Sequence, residues 1–489
     1  MAKVAGDICK NADMATASPD VSADDLLVLL AVGRSGRYVT AADELGINHT
    51  TIARRIAALE RALGGRLLTR VGGGWELTLF PGGNPSRQWL DAIVPDVPVY
   101  LGSADGHSAW LSSEGLRRAG ITAATPDPPN GRIERDAAGE PSGTLREDAV
   151  MLVAPHLPKL APAAYDEGLR RALAMANGFG ITGMYEAAAT PLVLAAYERL
   201  AERGELTARV IVAQTIDTLK GPEQLDALAE RRDHIARLQH PRLRAGSIKI
   251  FLDGVIEAGT AALLSPYVGP LAAGDTAGEP TLSPAALEAI VLAADRRGFD
   301  VHVHAIGDRA VRMALDAFEA VERHNPPRDR RHVIAHLELV DPADIPRFAA
   351  GGIIASMEPP HAVEDKGWAE ARVGSERIKG AYAWRTLRRS GARLAFSSDL
   401  PGSGWSIAYA LHSAITRQDT LGTPPGGWYP EQRMTAEEAV RGYTSWAAYA
   451  GFDEEQGGSI AVGKRADFTV LTVDPFRAAA PADLLHTAV

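Results

Sequence analysis

The 489-residue chain carries 61 Asp and Glu against 51 Lys and Arg, a formal net charge of −10, with 46% apolar and 23% charged residues. That length leaves room for two or three domains with a large core, and no stretch nears the ~18 uninterrupted apolar residues of a membrane span. The single cysteine, Cys9, excludes an internal disulfide framework or a cysteine-rich zinc module, and the acidic balance excludes generic nucleic-acid binding by the whole chain. Residues 1–21 mix Lys, Asp and Ala without an apolar h-region, so a disordered leader and a cytoplasmic protein are expected.

The first patterned segment runs from residue 22 to 78. Asp24 to Val32 begins an amphipathic helix, and Thr40 is placed to cap a second over 41–45. Gly46-Ile47-Asn48 makes a turn, and His49 to Glu60 follows as a helix with Ile52, Ile56 and Leu59 spaced for a core. Between Arg34 and Arg70, seven arginines stand against Asp43, Glu44 and Glu60, the local basic excess that phosphate contacts require. The stretches Leu30–Gly36, Ala41–Gly46, Arg55–Glu60 and Gly64–Leu68, with a wing over 70–78, resemble the winged helix-turn-helix of LysR-type regulators. The resemblance implies that His49, Thr50, Thr51 and Arg54 face a major groove of double-stranded DNA. Two features depart from that family. Phe80-Pro81-Gly82-Gly83-Asn84-Pro85 forbids a dimerising linker helix right after the wing, and no effector-binding domain follows.

From about residue 80 strand patterns alternate with helical ones, the α/β signature. Strands are expected at 97–103, 180–186, 208–214, 247–252, 300–305, 333–336, 352–357 and 394–398, with helices such as 165–176, 284–297 and 310–324 between them. A further strand is expected at 466–471, outside that layer. Lys249, His304, His336 and Asp399 each close a successive strand, and His302 shares the face of His304 one layer deeper. Lys, His, His and Asp at the C-terminal ends of parallel strands is a pattern that holds a metal. Each has a plainer reading: a core histidine, a snorkelling lysine, a helix N-cap for Asp399. His332 falls outside the pattern.

Residues 80–489 resemble the amidohydrolase superfamily, in the branch of N-substituted formamide deformylases. The resemblance rests on Asp105–Trp110, Gly131–Arg135, Lys249–Gly254, His304–Ala310, Ser356–His361, Ser398–Pro401 and Gly463–Phe468, in family order. It implies a metal-dependent hydrolase on a (β/α)8 TIM barrel at 79–455, with a partial β-sandwich at 456–489. It also implies one or two divalent metals, zinc above all, held by Lys249, His304, His336 and Asp399. In the family the lysine can be carbamylated, and the aspartate also moves a proton. His107, Asp253 and His361 are expected to meet an amide substrate. The fold class is thus α/β, an incomplete barrel preceded by an all-α winged helix-turn-helix, and a homodimer is open.

The barrel is expected to be incomplete because the family's first strand ends in a His-x-His pair, and residues 1–180 hold only His49, His107 and His156. The Gly72-Gly73-Gly74-Trp75 junction suits both a wing and the hydrolase segment before Phe80. Three readings follow: a C–N hydrolase with a reduced site, a DNA-binding regulator with the barrel as sensor, and an inactive fusion remnant.

Overall fold

The computed structural model describes residues 25, 28–29, 31–32, 38–63, 68–71, 74–77, 85–103, 106–268, 277–367, 369–400, 403–404, 406–478 and 480–489. They divide into a unit over Met1–Pro158 and a second over Lys159–Val489.

In the first unit, α1 (Tyr38–Leu45) starts two residues before Thr40 and is followed by α2 (His49–Leu63). Gly46 (φ +65°) supplies the left-handed backbone of the turn between them, and Asn48 Oδ1 accepts from Thr50 N at 2.9 Å as a cap. Ile52, Ile56 and Leu59 are buried with Val28, Ala31, Val32 and Ala41, as their spacing requires. His49, Thr50 and Arg54 are exposed, and Thr51 is half-buried. An antiparallel hairpin of β1 (Leu68–Val71) and β2 (Gly74–Leu77) follows. After residues 78–84, which lie outside the described set, comes α3 (Arg87–Ile93), capped by Ser86. The unit ends in a four-stranded antiparallel sheet of β3 (Tyr100–Gly102), β4 (Ser108–Leu111), β5 (Gly131–Arg135) and β6 (Pro141–Glu147), in the order β3-β4-β6-β5. The expected strand at 97–103 therefore belongs to this sheet and not to the parallel one.

The second unit is built on seven parallel strands: β7 (Gly183–Ala189), β8 (Arg209–Thr215), β9 (Leu243–Phe251), β10 (Asp300–Ala305), β11 (Val333–His336), β12 (Ile354–Met357) and β13 (Arg393–Phe396). Their spatial order equals their chain order, so the sheet winds in one direction and curls as a half-barrel. Among the described residues nothing pairs with the outer edge of β7 or of β13.

The two faces of this sheet differ chemically. Ile248, Ile250, Val301 and Val303 point outward into the main core with α4 (Pro284–Arg296) and α5 (Asp308–His324), through Leu287, Ile290, Val311 and Phe318. Lys249, His302 and His304, offset by one residue, occupy the opposite face, with Lys249 in register with His302. The β10 sequence is buried along its whole length, which its Val–His alternation on two covered faces demands.

The expected strand at 466–471 is not formed, and no described residue of 456–489 lies in a strand. This segment touches the sheet only locally: Thr469 Oγ1 donates to Gly180 O at 2.6 Å, and Asp467 pairs with Arg209 at 2.5 Å. Ile460, Val462, Phe468 and Val470 stand exposed. An extended segment without a neighbour to bond remains a single chain.

At the other end of the strands, His332 is buried just before β11. Its ring stacks on Phe318 at 4.6 Å, its Nδ1 accepts from Val301 N at 3.1 Å, and Asp295 and Asp300 stand at 3.8 and 3.9 Å. Burial pushes its pKa down to about 3, with Arg328 and Arg330 adding to the effect and Asp295 opposing it. The folded chain thus keeps His332 neutral where the unfolded chain, near pH 6.5, takes up a proton. The associated stability is complete above pH 6.5 and declines as pH falls towards 3, by about 1.4 kcal/mol per pH unit. Between pH 7 and pH 5 the parent chain should therefore lose about 2 kcal/mol more unfolding free energy than His332→Gln. Urea titrations at both pH values measure this, and equal losses in the two proteins would show that His332 titrates normally.

Candidate metal centre

The C-terminal ends of β11, β12 and β13 bring three potential ligands together. His336 closes β11, His361 lies in α6 (Pro359–Glu364) directly after β12, and Asp399 follows β13. One donor atom from each lies within 4.8 Å of the others. His336 Nδ1 stands 4.0 Å from Asp399 Oδ2, and His361 Nε2 stands 3.9 Å from the same oxygen. His336 is buried and His361 half-buried, whereas the Asp399 side chain is 42% exposed, which leaves the carboxylate reachable from solvent. His336 (φ +76°) and Asp399 (φ +48°) both adopt the left-handed backbone that non-glycine residues avoid. Such strain persists where the surrounding structure enforces it.

Glu358 organises the cluster. It is 2% exposed, its Oε2 lies 3.1 Å from His336 Nδ1, and its Oε1 accepts from the Ser397 hydroxyl. Its Oε2 also stands 3.8 Å from His361 Nδ1. This carboxylate bonds Nδ1 and so fixes the orientation of the His336 ring.

The other sequence-derived candidates surround this cluster in different ways. The His304 ring lies 4.5 Å from that of His336, edge-on, and its Nε2 contacts Gly254 O at 3.2 Å. Lys249 is buried, with Nζ 4.7 Å over the Phe251 ring. Desolvation lowers its pKa to about 8, although the charges of Asp399 and Glu358 oppose that shift. His302 is fully buried against Tyr185, its Nδ1 without a hydrogen-bond partner. Asp253 was expected to meet substrate. Instead its oxygens accept from the backbone amides of Ala262, Ile306 and Gly307 at 2.8–3.0 Å, so it holds the loops after β9 and β10 in place. His107 lies in the first unit, directly before β4, where its Nδ1 meets Glu147 Oε2 at 2.7 Å. Asp105 lies outside the described residues.

The donor set fits a divalent ion of the zinc type: two imidazoles and a carboxylate converge, the ligand types such an ion takes. Sequence reasoning placed His361 with substrate and gave Glu358 no role. The available signal was that Glu358 directly follows β12, at the strand end that His336 occupies on β11.

A profile of the amidohydrolase family matches residues 46–489. The chain is similar to LONG AFTER FAR-RED 3 of Arabidopsis thaliana, at 31% identity over 434 residues, covering 86% of this chain and 72% of that one. It is equally similar to the putative amidohydrolase YtcJ of Bacillus subtilis, at 31% over 414 residues (83% and 75%). N-substituted formamide deformylase of Arthrobacter pascens is 29% identical over 407 residues (80% and 71%). Among solved structures, an uncharacterized metal-dependent hydrolase from Pyrococcus furiosus aligns with a TM-score of 0.60 at 26% identity, covering 93% of this chain and 85% of that one. One from Pyrococcus horikoshii aligns at 0.65 and 24% identity (95% and 86%), a likeness of fold. The profile match extends over most of the sequence, and the chain belongs to the amidohydrolase family.

Proposed function

We propose that the chain hydrolyses non-peptide carbon–nitrogen bonds, with N-substituted formamides and related simple amides as the substrate class. The observation that carries this reading is the convergence of His336, His361 and Asp399 at the strand ends. The relationship to N-substituted formamide deformylase supports the choice of bond.

His336, His361 and Asp399 would hold a zinc ion, with Lys249 and His304 beside them for a second ligand position. A bound zinc supplies Lewis-acid polarisation of the scissile carbonyl and lowers the pKa of a water molecule. Glu358 keeps the His336 ring in one orientation through the 3.1 Å contact. Asp399, half in solvent, is the group able to take a proton from the attacking water and return it to the leaving nitrogen. Burial lowers the Lys249 pKa to about 8, and its neutral amine is able to take up carbon dioxide as a carbamate.

Metal analysis of the purified full chain should find zinc in the parent, and His336→Ala and His361→Ala should each lose most of it while retaining the parental circular dichroism. Full retention in both folded variants would remove the assignment. Turnover of N-formyl amines should fall about 10²- to 10⁴-fold in Asp399→Asn. A parent that binds zinc yet cleaves no formamide or simple amide would retain the metal site and refute the activity.

A second reading concerns residues 22–78. The exposed start of α2 and the adjoining β1–β2 hairpin favour binding of double-stranded DNA through His49, Thr50, Thr51 and Arg54. The family match lends this reading no support. It requires salt-dependent duplex binding that weakens in Arg54→Ala, and salt-independent or absent binding would dismiss it.

A further inference from the structure

Ser397 directly follows β13 and joins the metal cluster to a helix near the end of the chain. Its hydroxyl donates to Glu358 Oε1, and Glu358 Oε2 in turn meets His336 Nδ1 at 3.1 Å. Its amide donates to Met357 O at 3.1 Å, which carries the β12–β13 ladder one residue past Phe396. Its carbonyl accepts from the Tyr443 hydroxyl at 3.3 Å. The side chain and both backbone groups of this serine are thus engaged, with the end of β12 on two counts and with Tyr443 on the third.

The Glu358 carboxyl needs such a partner to stay aimed. The last torsion of a glutamate side chain is broad and roughly two-fold, so rotamer preference alone does not set the carboxyl plane. A bond at one oxygen leaves the plane free to turn about that contact; bonds at both oxygens fix it. Glu358 is 2% exposed, and a buried carboxylate oxygen that loses its donor is costly. With Ser397 on Oε1, Oε2 faces His336, and the imidazole takes its orientation from a carboxylate that is itself held.

Tyr443 reaches Ser397 through a close helix contact. It ends α7 (Ala436–Tyr443), which starts in a reciprocal capping box of Thr435 and Glu438. Gly442 lies so near the strand that a Cβ on it would stand 2.3 Å from Phe396 Cδ2, the residue directly before Ser397. A side chain at 442 would force that ring or the helix aside. Glycine there lets the Tyr443 ring pack 5.6 Å from the Phe396 ring, with its hydroxyl on the Ser397 carbonyl.

We propose that Ser397 is a positioning residue of the metal centre: its hydroxyl fixes the Glu358 carboxyl, and through it the His336 ring, while Tyr443 holds Ser397 in place. The proposal rests on the reading of His336 as a zinc ligand. It adds a path by which two residues that carry no metal-binding atom in the cluster set the affinity of the site.

The experiment measures the zinc affinity of the full chain by competition with a chromophoric chelator. Ser397→Ala should bind zinc about 10- to 100-fold more weakly than the parent, the range for a residue that orients a metal ligand, while keeping the parental circular dichroism. Ser397→Thr retains the hydroxyl and should restore most of the affinity. In a Glu358→Ala background, Ser397→Ala should cause no further loss, because the two groups then act along one path. Tyr443→Phe should weaken zinc binding in the same direction and by less. Parental affinity in Ser397→Ala would overturn the proposal and leave the metal site standing. Equal losses in the alanine and threonine variants, or the same loss with and without the Glu358 carboxyl, would also overturn it, since a merely structural serine behaves in that way. A parent without measurable zinc affinity would remove the metal reading and this proposal with it. Should Ser397→Ala fail to fold, Tyr443→Phe takes its place, with a loss expected that vanishes in the Glu358→Ala background; a loss that persists there would overturn the proposal.

Discussion

A single buried carboxylate ties the catalytic end of the sheet together. Glu358 leaves β12 and meets an imidazole from β11 on one oxygen and a hydroxyl from β13 on the other. Removing such a group from water is expensive, and the cost is recovered only when both oxygens find partners. Three neighbouring strand ends are therefore fixed relative to one another by the same few atoms. The left-handed backbone at His336 and at Asp399 lies at the edge of that frame, where such strain persists because the surrounding structure enforces it. Lys249 and Tyr443 both feel the Glu358 charge, which extends its influence across the inner face.

The two faces of the sheet explain how an incomplete barrel keeps its shape. An open barrel would be expected to expose an apolar interior. Here the inner face around the site carries Lys249, His302, His304 and His336, whereas the aliphatic residues face outward under helices. Stability resides in that outer layer, where burial of Ile, Leu, Val and Phe side chains contributes about 1.5–3 kcal/mol each. Opening the wall between β7 and β13 leaves this layer intact. The edges leave backbone groups unpaired instead, and β7 has the most exposed pattern of the seven parallel strands.

What was legible in the sequence follows the same division. β10 and β11 were readable to the residue, since Val–His alternation and a short apolar run closed by His admit few other placements. The strand ends were readable as bearing candidate ligands, but not as an assembled cluster. His361 lies 25 residues from His336 and 38 from Asp399, and only the curl of three strands brings them together. Asp253 is a different case. A carboxylate in a strand-end motif looks available for substrate, yet three backbone amides consume it, and hydrogen-bond satisfaction of that kind leaves no mark in the residue string.

The segment 466–471 shows why pattern alone misleads where a partner decides. Phe468 and Val470 alternate with polar neighbours as a strand should, and both are exposed. β-propensity records how well side chains fit a pleated surface that already exists. Without an adjacent strand, the same residues give an extended chain anchored by Asp467 and Thr469, whose side chains reach the entry to β8 and the backbone before β7. Strand formation is thus a property of pairs. The seven strands that formed each had a neighbour fixed by the preceding helix, and the one that did not form is the one whose neighbour the fold does not provide.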